Sequence, residues 1–213
     1  MSQLEQTVSR YRSLRLSAAA DELTSLLAEA EANEMSYLSF ADRLAEHELI
    51  QRQDKRIRRN RKMAAFPAEK RLEGFDYRHQ TTITKRQVNA LLDFQFIDER
   101  NNLVFIGPPG VGKTHLAIGI GYKAVEAGYR VLFRNALDLV EELELAEMKG
   151  ELKKRVSALA KYDLLIIDEL GYLPMTRQAR YNLFQLINSL YEYRSIILTT
   201  NKDFTSWGEF FHD

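Results

Sequence analysis

Apolar residues recur at helical spacing through the N-terminal part of the chain: Leu4, Val8 and Tyr11, then Leu23, Leu26 and Leu27, then Phe40, Leu44, Ile50 and Ile57. Neither proline nor glycine interrupts the stretch from Leu4 to Lys62. A helical period without breakers predicts a small all-helical unit. Ser39, with Asp42 three residues on, matches a capping box, which places the start of the third helix there. Pro67 and Gly74 end the pattern, so residues 64–84 predict a linker into a second region. The reading divides the chain into a helical domain, residues 1–66, and a second domain, residues 67–213.

Beyond the linker the period alternates. A helix is expected around Lys85–Phe94, a strand over Asn102–Ile106, a helix over Lys113–Glu126 and a strand over Arg130–Phe133. Helical material from Leu137 to Ala160 breaks near Gly150, leaving room for two helices where one would close the crossover. A strand over Leu164–Ile167, a helix over Arg177–Tyr191 and a strand over Ser195–Thr199 complete the series. The runs LLII and SIIL are continuously apolar, as in strands covered on both faces. The expected fold class is α/β: a parallel sheet flanked by helices, preceded by a small all-helical domain.

Composition changes little in this picture, but charge changes it locally. With 45% hydrophobic residues in 213, the chain can bury a core. The 30 basic residues balance 30 acidic ones, so any affinity for nucleic acid must come from placement. Residues 1–50 carry nine acidic and four basic side chains; then Arg52, Lys55, Arg56, Arg58, Arg59, Arg61 and Lys62 follow, opposed only by Asp54. Cysteine is absent, which excludes disulfides and thiolate metal sites. His47, His79, His115 and His212 show no ligand spacing. No secretory core or long apolar run is present, so a soluble, cytoplasmic protein is expected.

The sharpest chemistry lies at residues 107–114, GPPGVGKT, between an apolar strand and a helix. Gly107, Gly110 and Gly112 let the backbone fold back around Pro108, Pro109 and Val111. Several N–H groups and the following helix N-terminus can then cradle phosphates. Lys113 reaches the β- and γ-phosphates, the Thr114 hydroxyl ligates Mg²⁺, and His115 completes the nucleotide-contacting run, its ring packed rather than catalytic. Asp168 and Glu169 follow the LLII run, where ligands of open α/β sheets bind. Asp168 is read as holding Mg²⁺ through water, and Glu169 as polarising the attacking water. Asn201, after SIILTT, either senses the γ-phosphate or starts a turn. Phe75 and Tyr77 lie against adenine or pack in the core.

These residues together resemble an AAA+ ATPase. The runs NNLVFIGPPGVGKTHLAIGIGYKAVEAGYRVLF, YDLLIIDELGYLP and IILTTNKDFTSW resemble the IstB family, the ATPase helpers of IS21-type transposons. They are also similar to DnaC-type helicase loaders, many of which carry a zinc-binding N-terminal module that a cysteine-free helical segment does not match. The resemblance settles Asn201 as a sensor. It implies an oligomer that assembles with ATP on duplex DNA, deforms it and recruits a partner transposase, whose contact stimulates hydrolysis. It also makes the second piece of the 137–160 segment an insertion facing nucleic acid.

Arg52, Lys55, Arg56 and Arg59 share a helix face and either follow DNA phosphates or form a solvated helix end. With no aromatics interleaved, backbone contact rather than base reading is expected. Lys153 and Lys154 join them on the resemblance alone; from spacing, Glu151 and Arg155 read as an intrahelical pair. AAA+ proteins usually continue into a lid bearing a sensor arginine. Only twelve residues follow Asn201 and none is arginine, so turnover by this chain is expected to depend on groups supplied otherwise. Arg177, Arg180 and Arg194 are candidates for contacts to a neighbouring subunit.

Overall fold

The computed structural model describes residues 1–78, 82–171 and 175–203. The chain divides into two compact units, residues 1–58 and 59–213.

The first unit is built on three helices, α1 (Gln3–Ser13), α2 (Ser17–Ala32) and α3 (Tyr37–Ala64), the last of which runs on into the second unit. Ser2 and Glu5 form a capping box at the start of α1. The capping box expected at Ser39 does not form. Helix α3 starts two residues earlier, and the Ser39 N–H donates to the Ser36 hydroxyl at 3.1 Å, because Ser36 offers the same oxygen one turn ahead. Ala19, Leu23, Leu26 and Leu44 form the core, joined by Leu4, Val8, Tyr11, Leu16 and Phe40.

No side chain of its own caps α2. Instead the buried Glu48 of α3 accepts from the Ala19 N–H at 2.9 Å and from Arg52 Nε at 2.7 Å. Burial alone would raise the Glu48 carboxyl, but the Ala19 N–H and Arg52 hold it below its ordinary value. A depressed carboxylate stabilises the fold above its unfolded pKa, and that stability is lost as pH falls through the folded value. Glu48→Ala is therefore expected to cost about 2 kcal/mol at neutral pH and progressively less in acid, read from urea unfolding at a series of pH values. An equal cost at every pH would rule out the charge as its source.

In the second unit the last turns of α3 carry Asn60, whose amide donates to the carbonyls of Gly128 and Tyr129 at 3.3 Å each. Residues 64–78 do not hang free as a linker. They lie along α6 (Lys113–Glu126): Phe66 stacks on Tyr122, and Leu72 seats against Gly119, where a Cβ would come within 2.5 Å of its side chain. Glu73 pairs with Lys123, and Arg71 pairs with Glu126. A glycine-bearing α6 lets this strap approach closely.

The expected helix at 85–94 is shorter and is followed by another. Helix α4 (Lys85–Ala90) passes into a 3₁₀ turn, Leu91–Asp93, and α5 (Gln95–Asp98) follows. Phe94 adopts φ 59°, and Asp93 accepts from the Gln95 N–H, so the chain re-initiates rather than continues.

Strands β1 (Leu103–Ile106), β2 (Val131–Asn135), β3 (Leu164–Leu170) and β4 (Ser195–Thr200) form a parallel sheet in the order β1-β4-β3-β2. Alternate residues of β3 serve opposite faces. Leu165 and Ile167 join the core under α7 (Ala136–Met148), α8 (Leu152–Leu159) and α9 (Arg177–Leu190), while Ile166 abuts Gly121 of α6. The sequence places both α7 and α8, with Gly150 between them at φ 70°. Strand β3 runs three residues past the expected end and carries Asp168 and Glu169 inside it, across a register irregularity between Ile167 and Leu170. Among the described residues no helix is long and apolar enough to cross a membrane.

Candidate nucleotide site

With β4 lying between β1 and β3, the C-terminal ends of three strands converge. The loop after β1 is anchored by the Gly107 N–H donating to Thr200 O at 3.2 Å. Gly110 and Gly112 take φ 84° and 91°, the left-handed region that only glycine enters without strain. Gly112 is doubly constrained, since a Cβ there would lie 2.5 Å from the Phe75 ring. The loop leads into α6, whose first-turn N–H groups have no intrahelical acceptors and point at the same space.

Lys113 Nζ donates to the carbonyls of Gly107 and Pro108 at 2.7 and 2.9 Å, holding the loop closed. Burial lowers the Lys113 ammonium from its usual range, and the carboxylates of Asp168 and Glu169 oppose that shift. The Thr114 hydroxyl lies 2.9 and 3.1 Å from the two oxygens of Asp168. Asp168 is buried and accepts a further hydrogen bond from Thr199 Oγ1 at 2.6 Å, and Thr199 in turn accepts from the Glu169 N–H at 2.9 Å.

Glu169 is a non-glycine residue at φ 63°, a conformation that turns its carboxylate out of the strand direction while β3 continues to Leu170. The Asn135 amide, at the end of β2, donates to Glu169 Oε2 at 3.0 Å, and its oxygen caps α7 by accepting from the Leu137 N–H. Thr199 and Asn135 are site residues that sequence reasoning did not single out. The pattern S/T-x-N at 199–201 and an asparagine opening a helix were the signals on offer, and both are too common to point at a carboxylate tens of residues away.

Pro109, Gly110, Gly112, Lys113, Thr114, His115, Glu169 and Thr199 line one cavity of about 320 Å³ together with Lys70. The structure thus gathers the loop, the Thr114–Asp168 pair and Glu169. Asn201 follows β4 directly, and its side-chain oxygen is buried without a hydrogen-bond partner among the described residues. The His115 ring nitrogen meets Arg71 O at 2.7 Å and the ring stands edge-on to Phe75, so this side chain braces the strap. Phe75 packs on Gly112 and against Tyr77.

The donor set suits Mg²⁺. Thr114 and Asp168 offer hard oxygens, and a cation that keeps most of its water needs few protein ligands. Among the described residues no group of three or more His, Cys, Asp or Glu could hold a metal by itself.

The basic positions differ among themselves. Arg52 donates to Glu48 and to Arg15 O, so it is committed to the helical unit. Lys55, Arg56, Arg58 and Arg59 are exposed and make no ion pair among the described residues. The pairing expected between Glu151 and Arg155 is not the one formed. Glu151 pairs with Lys154 one turn on, while Arg155 reaches across to Glu142 of α7. Lys153 is exposed. Arg180 and Arg194 are spent on the carbonyls of Met175 and Ala160, and Arg177 is exposed. His79 and His212 lie outside the described residues.

A glycine cradle at a helix N-terminus, a lysine on the loop and a threonine joined to a strand-borne aspartate define a P-loop nucleotide-binding protein of the AAA+ type. The profile of the family described as IstB-like ATP binding protein matches residues 9–213, and the chain belongs to that family. The protein named for ATP binding in insertion sequence IS5376 of Geobacillus stearothermophilus is 40% identical over 200 residues, 94% of this chain and 80% of its own length. The one named for ATP binding in insertion sequence IS21 of Pseudomonas aeruginosa is 40% identical over 213 residues, 100% of this chain and 79% of its own length. A solved structure of the replication initiator DnaA, bound to AMPPCP and single-stranded DNA, matches with a TM-score of 0.54 at 25% identity, covering 65% of this chain and 43% of the initiator.

Proposed function

We propose that this protein is an ATP-hydrolysing transposition helper that assembles as an oligomer on duplex DNA, remodels it, and recruits and stimulates a partner transposase. The observation that carries the reading is the chain of contacts Thr114–Asp168–Thr199–Glu169, set on a phosphate-cradling loop in a chain of the IstB-like family. Asp168 and Thr114 would hold Mg²⁺, which would neutralise charge on the phosphates. Lys113 contacts the β- and γ-phosphates, backbone N–H groups of residues 110–115 bind the remaining phosphate oxygens, Glu169 orients and polarises water, and the oxygen of Asn201, without a partner among the described residues, accepts from that water. Residues 67–213 supply this chemistry, and residues 1–66 supply self-association and the main DNA contact.

Lys55, Arg56 and Arg59, exposed and unpaired among the described residues, meet the DNA backbone, with Lys153 and Lys154 as a second contact and Arg52 holding the helix in place. Affinity for duplex DNA is expected to fall steeply with salt, and Lys55→Ala combined with Arg56→Ala to flatten the log–log slope by about 2. An unchanged slope would make these side chains a solvated helix end.

A second reading, a helicase-loading ATPase, is favoured by the likeness to an initiator solved with single-stranded DNA. Binding to matched duplex and single strands, with ATP and with a non-hydrolysable analogue, separates the two. ATP-dependent preference for duplex supports the transposition helper; ATP-dependent preference for single strands replaces it with the loader.

A further inference from the structure

Lys70 belongs to no phosphate-binding motif, yet it lines the same cavity as Gly110, Lys113 and Thr114. Its neighbours along the strap are all engaged: Glu69 with Arg61 and Arg71, Arg71 with Glu126, and Glu73 with Lys123. Lys70 alone of these charged residues makes no hydrogen bond or ion pair among the described residues, and it is half-buried rather than extended into water. A lysine ordinarily leaves its ammonium fully solvated or pairs it with a carboxylate. Lys70 and Lys113 therefore bring two positive charges to a cavity that also holds the Glu169 carboxylate, and a phosphate chain entering it would meet both.

The position of Lys70 is also set in advance. The carbonyl of the next residue, Arg71, is held by the His115 ring at 2.7 Å, and His115 stands next to Thr114 at the start of α6. Leu72, one residue further, is locked against Gly119. Strap and α6 are thus pinned together at the two residues that follow Lys70. A cation placed before its partner arrives loses little freedom on binding.

We infer that Lys70 is a second cation of the nucleotide site, contacting the phosphate chain of ATP from the strap while Lys113 contacts it from the loop. The inference rests on the reading of this cavity as the ATP site. It also gives the strap a role as one wall of the site, so that bound nucleotide ties residues 66–77 to α6 more firmly than the hydrophobic contacts alone.

The test is calorimetric titration of ATP into the full chain and its Lys70→Met, Lys70→Arg and Lys113→Ala variants, at low and high salt. Lys70→Met keeps the length and apolar stem without the charge. It is expected to weaken ATP binding about tenfold, in line with the loss of one charge-assisted contact. Lys70→Arg restores most of the affinity, and the gap between Met and Lys narrows as salt rises. Thermal melting without nucleotide is expected to be nearly the same for all three Lys70 forms, because Lys70 makes no hydrogen bond or ion pair among the described residues and both replacements keep a long apolar stem. If Lys70→Met binds ATP as tightly as the unaltered chain while Lys113→Ala loses it, the ATP site stands and Lys70 is no part of it. A Met–Lys gap that persists unchanged at high salt, or that Arg fails to close, also overturns the proposal. If the unaltered chain itself takes up no ATP, the reading of the cavity falls first.

Discussion

Glu169→Gln is expected to lower ATP turnover by about 10²- to 10⁴-fold, the range spanned by loss of a positioned general base, while leaving nucleotide affinity nearly unchanged. The side chains predicted to hold ATP and Mg²⁺ are Lys113, Thr114 and Asp168, and none of them depends on the Glu169 carboxylate for its position. Its own placement is set from outside: the backbone turns at φ 63°, its N–H is fixed to Thr199 Oγ1, and Asn135 holds Oε2 at 3.0 Å. Glutamine preserves the length and the reach to water but is a far weaker base. The measurement is phosphate release under saturating ATP, on the duplex DNA that gives the unaltered chain its highest rate, beside an equilibrium titration of ATP. Turnover that survives in the Gln variant would remove Glu169 from the reaction. A matching loss of ATP affinity would instead make the residue part of the binding site.

Much of this site was legible in the sequence because its central parts are local. Eight consecutive residues define the phosphate loop, and an apolar run delivers Asp168 and Glu169 to the correct end of a parallel sheet. The crossover helices α7 and α8 were readable for the same reason, since glycine at φ 70° leaves a mark at one position. What escaped depends on chain segments that meet only after folding. Asn135 reaches Glu169 because β2 pairs with β3 in a register that sets Asn135 opposite Asp168. Thr199 reaches Asp168 because β4 lies on the other side of β3. The packing of the strap was not legible because part of its hold on α6 and on the loop before it comes from absent side chains, at Gly112, Gly119 and Gly121, whose value appears only when Phe75, Leu72 and Phe66 are seen against them. The basic positions of α3 were legible as a group but not individually: Arg52 is spent on Glu48 and Arg15, which period alone does not reveal.

Thr199 carries the second large expectation. Thr199→Val is close to isosteric and should cost about 2–3 kcal/mol of stability, well beyond what its change in shape explains, because it removes two hydrogen bonds from groups that are charged or buried. Thr199 is fully buried; its hydroxyl donates to the buried carboxylate of Asp168 at 2.6 Å and accepts the Glu169 N–H at 2.9 Å. In the valine variant, among the described residues, Asp168 keeps only the Thr114 hydroxyl, and the Glu169 N–H has no acceptor where β3 departs from regular pairing. Thr199→Ser keeps the hydroxyl and gives up a methyl group, which costs about 1 kcal/mol in a packed site. Serine is therefore expected to be the milder change even though valine fills the space better, an ordering opposite to the one that packing alone dictates. Urea unfolding of the three proteins without nucleotide measures it. If valine proves as stable as threonine, the hydroxyl is not what holds Asp168 and Glu169, and the burial of Asp168 must be balanced by Thr114 alone. If the predicted order holds, turnover should follow it, since the same hydroxyl fixes both the carboxylate proposed to hold the metal and the one proposed to polarise water.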